Sequence, residues 1–107
     1  GANAVKLLQR MLSRNGLPCT DDGIIGPITI AAAAGLAARQ PGQLAILYGI
    51  ARRDYYYSVA DARPASRKYA RRRDGGKGGW ITRAEDFLPK SAHLTQAQHA
   101  ARTAHWN

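Results

Sequence analysis

Near the start of the chain, apolar positions recur at three- and four-residue intervals. Val5, Leu8 and then Met11 or Leu12 share one face, which predicts an amphipathic helix from about Ala4 to Asn15. Asn3 suits the N-cap and Gly16 the position just past the end. The pattern then breaks at Leu17-Pro18 and gives way to Asp21–Ile30, DDGIIGPITI. Asp22-Gly23 is a turn signal, because Asp bonds its own backbone and Gly accepts a positive φ. Ile24 and Ile25 form a short apolar pair that either tucks under the turn or makes a brief extended contact. Gly26-Pro27 opens a second helix, where proline at the first position loses no intrahelical hydrogen bond. Thr29, in its first turn, is placed to tie back to the loop. That helix is alanine-rich, which permits close approach of a neighbour, and Gln40-Pro41-Gly42 ends it.

The third helix, from about Pro41 to Ala62, is apolar on two sides. Leu44, Leu47, Tyr48, Ala51, Tyr55 and Val59 fall on one face, and Ile46, Ile50 and Tyr57 nearly opposite. A helix apolar on two sides is enclosed on two sides, so this one is read as central. Gly49 marks either a close helix crossing or a tolerated glycine. From Arg63 to Gly79 the chain is basic and punctuated by Pro and Gly, predicting a loop with one helical turn and high mobility near Asp74–Gly79. A short helix, WITRAEDFL, follows with Trp80, Ala84 and Phe87 or Leu88 aligned, and Pro89 ends it. Thr95 with Gln98 fits a capping box for a last, weakly amphipathic helix. Strand patterns and internal repeats are absent from the sequence. The expected class is all-α, with about four to five helices around a central one. Residues 1–89 form the expected folded domain and 90–107 a helical tail.

A chain of 107 residues supports one modest core, here rich in Ala and poor in Phe. No apolar run reaches the ~20 residues of a membrane span. Cys19 stands alone, which leaves no internal disulfide and reads as a small buried or half-buried filler. The net charge of +9 changes the picture most. Between Arg52 and Arg83 there are ten Lys/Arg residues, opposed only by Asp54, Asp61 and Asp74. Such a field suits a polyanionic partner, or it is a solubilising surface. Nucleic acid is the weaker polyanion here. A helix-turn-helix needs a turn of about three to four residues, whereas this bend runs from Gly16 to Gly26.

Candidate chemistry is sparse. Glu85 is the single glutamate, and its neighbour Asp86 points about 100° away on a helix, a poor arrangement for paired acid–base carboxylates. His93, His99 and His105 recur every six residues, which does not gather them on one face, and they read as surface residues without a metal role. GGKGG lacks the spacing of a phosphate loop. No catalytic residue, metal or cofactor is expected. Tyr55-Tyr56-Tyr57 follows Arg52-Arg53; Tyr56, on the Arg52 side, either stacks on a sugar or base or is a structural tyrosine.

Leu8-Gln9, Asp22-Gly23, Gly26-Pro27 and Thr29 together resemble the helical peptidoglycan-binding modules of cell-wall hydrolases. Arg52 to Tyr56 (RRDYY), followed by Gly79-Trp80 and Arg83, is similar to the C-terminal part of phage-type N-acetylmuramidases and secretion-activator proteins. The likeness spans roughly Ala2 to Leu88. It implies Gln9, Asp22, Gly23, Gly26, Pro27 and Thr29 as the structural motif. It also implies peptidoglycan, or another anionic cell-wall polymer, as partner, in a bacterial envelope or phage-encoded setting. Stem-peptide carboxylates and wall phosphates would suit Arg52, Arg53, Arg71, Arg72 and Arg83, and flat sugar faces Tyr56 or Trp80. That family's catalytic glutamate lies in a preceding Glu-Gly-Gly segment with no counterpart here. The resemblance therefore implies non-catalytic binding, the alternative being an active muramidase whose glutamate lies upstream. Two departures stand out: the connection from Tyr57 to Trp80 is longer and more basic, and the tail after Lys90 has no family equivalent.

Overall fold

The computed structural model describes residues 2–106 and shows six α-helices among them: α1 (Ala2–Arg14), α2 (Pro27–Arg39), α3 (Gln43–Ala62), α4 (Arg67–Ala70), α5 (Gly79–Glu85) and α6 (Gln96–Thr103). The protein is all-α, as its hydrophobic pattern predicts. Two compact units divide the chain, one ending at Arg52 and the other beginning at Arg53. The division falls within α3, whose N-terminal half serves one core and whose C-terminal half serves the other.

In the first unit, Met11 and Leu12 are both buried with Ala32, Leu36 and Ala51, and Leu8, Leu17, Leu44 and Leu47 pack around them. Half-buried Cys19 also lies against this core, the filler role its isolation suggests. α1 begins at Ala2, so Asn3 lies inside the helix and does not cap it. Its far end closes as expected at Gly16, with Leu17 N–H donating to Leu12 O at 3.0 Å and Gly16 N–H to Ser13 O at 3.2 Å, a Schellman pair. α2 starts at Pro27 and buries Thr29, Ala32 and Leu36, one stripe of a helix that carries alanine on its other faces. Ile24 and Ile25 do not tuck under the turn: they are 67% and 58% exposed. The space beneath the bend is filled instead by the Gln9 side chain, which satisfies backbone groups that an isoleucine would leave unpaired.

In the second unit, Tyr57, Ala60, Ala70, Ile81 and Trp106 form the core, with Tyr56, Trp80 and Leu94 against it. Along α5 the buried residues are Ile81, Ala84 and Glu85, continued by Leu88, while Phe87 is exposed. Thr95 and Gln98 make a reciprocal capping box on α6, at 2.8 and 3.1 Å. α6 buries His99 and Thr103 completely. The chain beyond it is held by Asp61, which accepts two hydrogen bonds from the Arg102 guanidinium and one from Trp106 Nε1 at 2.8 Å.

The Arg63–Gly79 connection is more ordered than its composition suggests. After a 3-10 turn at Pro64–Ser66 and the short α4, the chain doubles back, pairing Arg71 with Lys77 in an antiparallel bridge. Arg72 N–H reaches Gly76 O at 2.8 Å, and Asp74 Oδ1 accepts from Gly76 N–H at 2.9 Å. Gly78 is where the returning strand touches α4. A Cβ there would lie 2.4 Å from Tyr69 O and 2.8 Å from the Ala70 carbonyl carbon, backbone atoms that cannot step aside. Gly78→Ala is accordingly expected to cost about 1–3 kcal/mol through overpacking. Gly79→Ala, with nothing within 4 Å, should cost less. Urea melts of the two variants make the comparison.

Candidate functional site

The bend carries the first cluster of motif residues. Gln9 is fully buried, and its carboxamide is the hub. Nε2 donates to Asp22 Oδ1 (3.1 Å), Ile24 O (3.0 Å) and Thr29 Oγ1 (3.0 Å), while Oε1 accepts from Gly23 N–H (3.0 Å). Asp22 Oδ1 also accepts from Ile24 N–H at 2.9 Å, an Asx turn. That backbone bond, then the Gln9 amide, holds the Asp22 carboxyl below its usual range. Gly23 takes φ +77°, so the turn uses the conformation its sequence predicts. Gln9, Asp22, Gly23 and Thr29 are thus one connected network, and Gly26-Pro27 sets the helix that delivers Thr29 to it. Beside the network is a hollow of about 150 Å³ lined by Thr20, Asp22, Ile24, Pro27 and Thr29. Exposed Ile24, Ile25, Ile28 and Ile30 surround the same turn. These isoleucines were not among the candidates; the four fall within the seven residues from Ile24 to Ile30, where Thr29 alone is buried.

The arginine and aromatic candidates separate into different environments. Arg52 is half-buried at the end of the first unit. Arg53 departs from the expected exposed ligand contact: it is 6% exposed, and its Nη1 donates to Glu85 Oε2 and Ala92 O, both at 2.8 Å. Glu85 is 2% exposed and is also bound by Lys77 through Oε1 and by Leu94 N–H through Oε2 at 2.7 Å. Burial alone would raise the Glu85 pKa, but the hydrogen bonds from Lys77, Leu94 and Arg53 outweigh it and hold the carboxyl below its ordinary value. A general acid needs the opposite, a carboxyl kept protonated in an apolar pocket. The single glutamate is therefore the anionic centre of a buried ion cluster. Asp86, beside it, is exposed.

Trp80 is half-buried with two rings against it, Tyr56 stacked at 5.1 Å and Tyr69 tilted at 5.1 Å. The tyrosine and tryptophan proposed as separate sugar platforms form one aromatic row, continued by Tyr55 at 5.9 Å from Tyr56. Arg83 is exposed on α5. His99 does not lie on the surface as expected. It is fully buried and paired through Nδ1 with the Tyr57 hydroxyl at 2.7 Å; burial holds its pKa down, and burial pushes that of Tyr57 up to about 12.

The densest charge surrounds an open cleft of about 670 Å³ in the second unit, lined by Arg67, Lys68, Arg71, Arg72 and Arg73 with Gln96 and others. Two of these arginines were expected to be alike, and they are not. Arg71 donates to Thr103 O at 2.8 Å, capping α6, and its guanidinium lies 5.3 Å from the Trp106 ring centre. Arg72 is exposed, and among the described residues its side chain pairs only with Asp74, at 3.1 Å. Arg67 caps α3 through Ala60 O (2.9 Å) and Asp61 O (3.0 Å). Both capping arginines satisfy terminal carbonyls and complement the negative helix end. Among the described residues there is no grouping of His, Cys, Asp and Glu suited to a metal, and no helix long and apolar enough to cross a membrane.

The family described as "Predicted Peptidoglycan domain" matches residues 3–85, which takes in α1 to α5 and the whole bend. No curated protein and no solved structure matches the chain.

Proposed function

Since the chain belongs to the predicted peptidoglycan domain family, we propose that it binds bacterial cell-wall peptidoglycan without cleaving it, as the C-terminal part of a muramidase-type wall hydrolase. The family match over residues 3–85 carries this reading. The net charge of +9 supports it, because stem-peptide carboxylates make the wall an anionic lattice. The proposed setting is the bacterial envelope, or a phage product acting on it. Against cleavage by this chain stands the Glu85 ion cluster, which leaves no carboxylic acid proton at the only glutamate.

The chain is expected to pellet with purified sacculi and to leave their turbidity unchanged. Retention should fall with added salt, since the screening length shrinks from ~10 Å at 0.1 M to ~3 Å at 1 M. Clearing that disappears in Glu85→Gln would overturn the non-catalytic reading. Retention on duplex DNA with none on sacculi would replace the wall by a nucleic acid as partner.

A further inference from the structure

We propose that the basic cleft of the second unit is an oxyanion site for the carboxylate-bearing peptide stem of peptidoglycan; this rests on the wall-binding reading above and names the part of the polymer that is read. The cleft is built in two layers. Arg67 and Arg71 are fixed by the carbonyls they cap, so their guanidinium groups are held in place before any ligand arrives. Lys68, Arg72 and Arg73 are exposed around them. Arg73 has no ion pair or hydrogen bond among the described residues, and Arg72 has only the exposed Asp74. Five cationic side chains thus line one cleft, and among the described residues Asp74 is the sole acid paired with any of the three exposed ones.

Like charges held together in a folded protein repel one another and are relieved by a bound anion. Fixed guanidinium forks match the planar geometry of a carboxylate, and pre-organisation lowers the cost of binding one. The other lining groups select among polyanions. Gln96 Nε2 is occupied by Gly75 O at 2.9 Å, which leaves its Oε1 as an acceptor at the cleft. A peptide stem places amide N–H donors directly beside its carboxylates, whereas phosphodiester groups themselves offer acceptors only. A cleft of about 670 Å³ holds several residues' worth of extended chain rather than one small ion.

The test compares sacculi with free carboxylates and the same sacculi after carbodiimide amidation, which neutralises the stems and leaves the glycan intact. Wild-type protein should be retained at least about tenfold less on the amidated wall, the loss of a few charge-assisted contacts. Lys68→Ala with Arg73→Ala should weaken retention on native sacculi about three- to tenfold. Arg14→Ala with Arg39→Ala, which removes equal charge from exposed positions in the first unit, should leave retention near wild type. Equal retention on native and amidated walls overturns the carboxylate site while leaving wall binding intact. So does an equal loss in both double variants, because net charge would then explain it. Failure of wild type to bind any sacculi overturns both readings. Loss of duplex DNA retention in Lys68→Ala/Arg73→Ala, without an effect on sacculi, assigns the cleft to nucleic acid instead.

Discussion

Glu85→Ala is expected to destabilise the second unit by about 3–5 kcal/mol, the cost of removing one member of a buried ion cluster. The magnitude follows from what would be left behind. Arg53, with a 7% exposed side chain, would keep a guanidinium with no counter-charge, and its Nε already lacks a hydrogen-bond partner. The Leu94 N–H would lose its acceptor as well, and Lys77 one of its two, keeping Leu94 O. Asp86→Ala, at the exposed neighbouring position, should change stability by no more than about 0.5 kcal/mol. A triple replacement, Glu85→Leu with Arg53→Met and Lys77→Met, should recover much of the loss, because buried ion clusters often compare poorly with well-packed apolar groups. Denaturant melts give all three values. A loss below about 1 kcal/mol for Glu85→Ala would place these charges in contact with water, contrary to their burial.

Glu85 and, in a separate group with Arg102 and Trp106, Asp61 set an acid limit. The Glu85 and Asp61 pKa values are depressed in the fold, from 4.5 and 3.8 respectively. As pH falls, the unfolded chain takes up those protons first, so their contribution is complete above the ordinary values and lost as pH drops through the folded ones. Buried His99 acts earlier. Its pKa is depressed from 6.5, so the unfolded chain gains a proton that the native imidazole does not, and stability begins to decline below that pH.

The parts of the fold legible in the sequence are those fixed by local chemistry. Asp22-Gly23, Gly26-Pro27 and the Thr95–Gln98 box act within a few residues, and each forms as read. The ion cluster was not legible in that way, because Arg53 and Glu85 lie 32 positions apart and no spacing rule links them. One clue was present. Ile81, Ala84, Glu85 and Leu88 occupy i, i+3, i+4 and i+7, so a stripe drawn from Ile81 rather than Trp80 puts a carboxylate on the buried face. A buried carboxylate requires a cation, and a chain with sixteen of them has one to supply. Arg53 shows the same pattern with Tyr57 and Ala60 on α3. For the basic stretch, composition was a poor guide to order. Lys77 turns inward to Glu85, and Arg67 and Arg71 cap helices, so less of its charge remains outside than a count suggests.

Gln9→Leu is expected to cost about 2–4 kcal/mol, because it strips partners from the buried Thr29 hydroxyl and from part-buried backbone groups at once. The Gly23 N–H, the Ile24 carbonyl and the Thr29 hydroxyl would all lose a bond, and at buried Thr29 no solvent replaces it. Gln9→Glu tests whether donation is what matters. It keeps the shape and an acceptor for Gly23 N–H, but sets a carboxylate oxygen against Asp22 Oδ1 and Ile24 O, where Nε2 now donates. It should therefore melt at least as low as Gln9→Leu. Gly23→Val attacks the same turn through its backbone. At φ +77° a valine is strained, and its Cβ would sit 3.2 Å from Ala2 Cβ, giving an expected loss of about 1–3 kcal/mol. If the bend is a scaffold, all three variants should pellet with sacculi like wild type when assayed well below their melting temperatures. The bend is then a device for orienting α1 and α2, and the charged cleft does the reading. A variant that melts like wild type yet no longer pellets would reverse that division, making the hollow beside Asp22 and Thr29 the place where the wall is held.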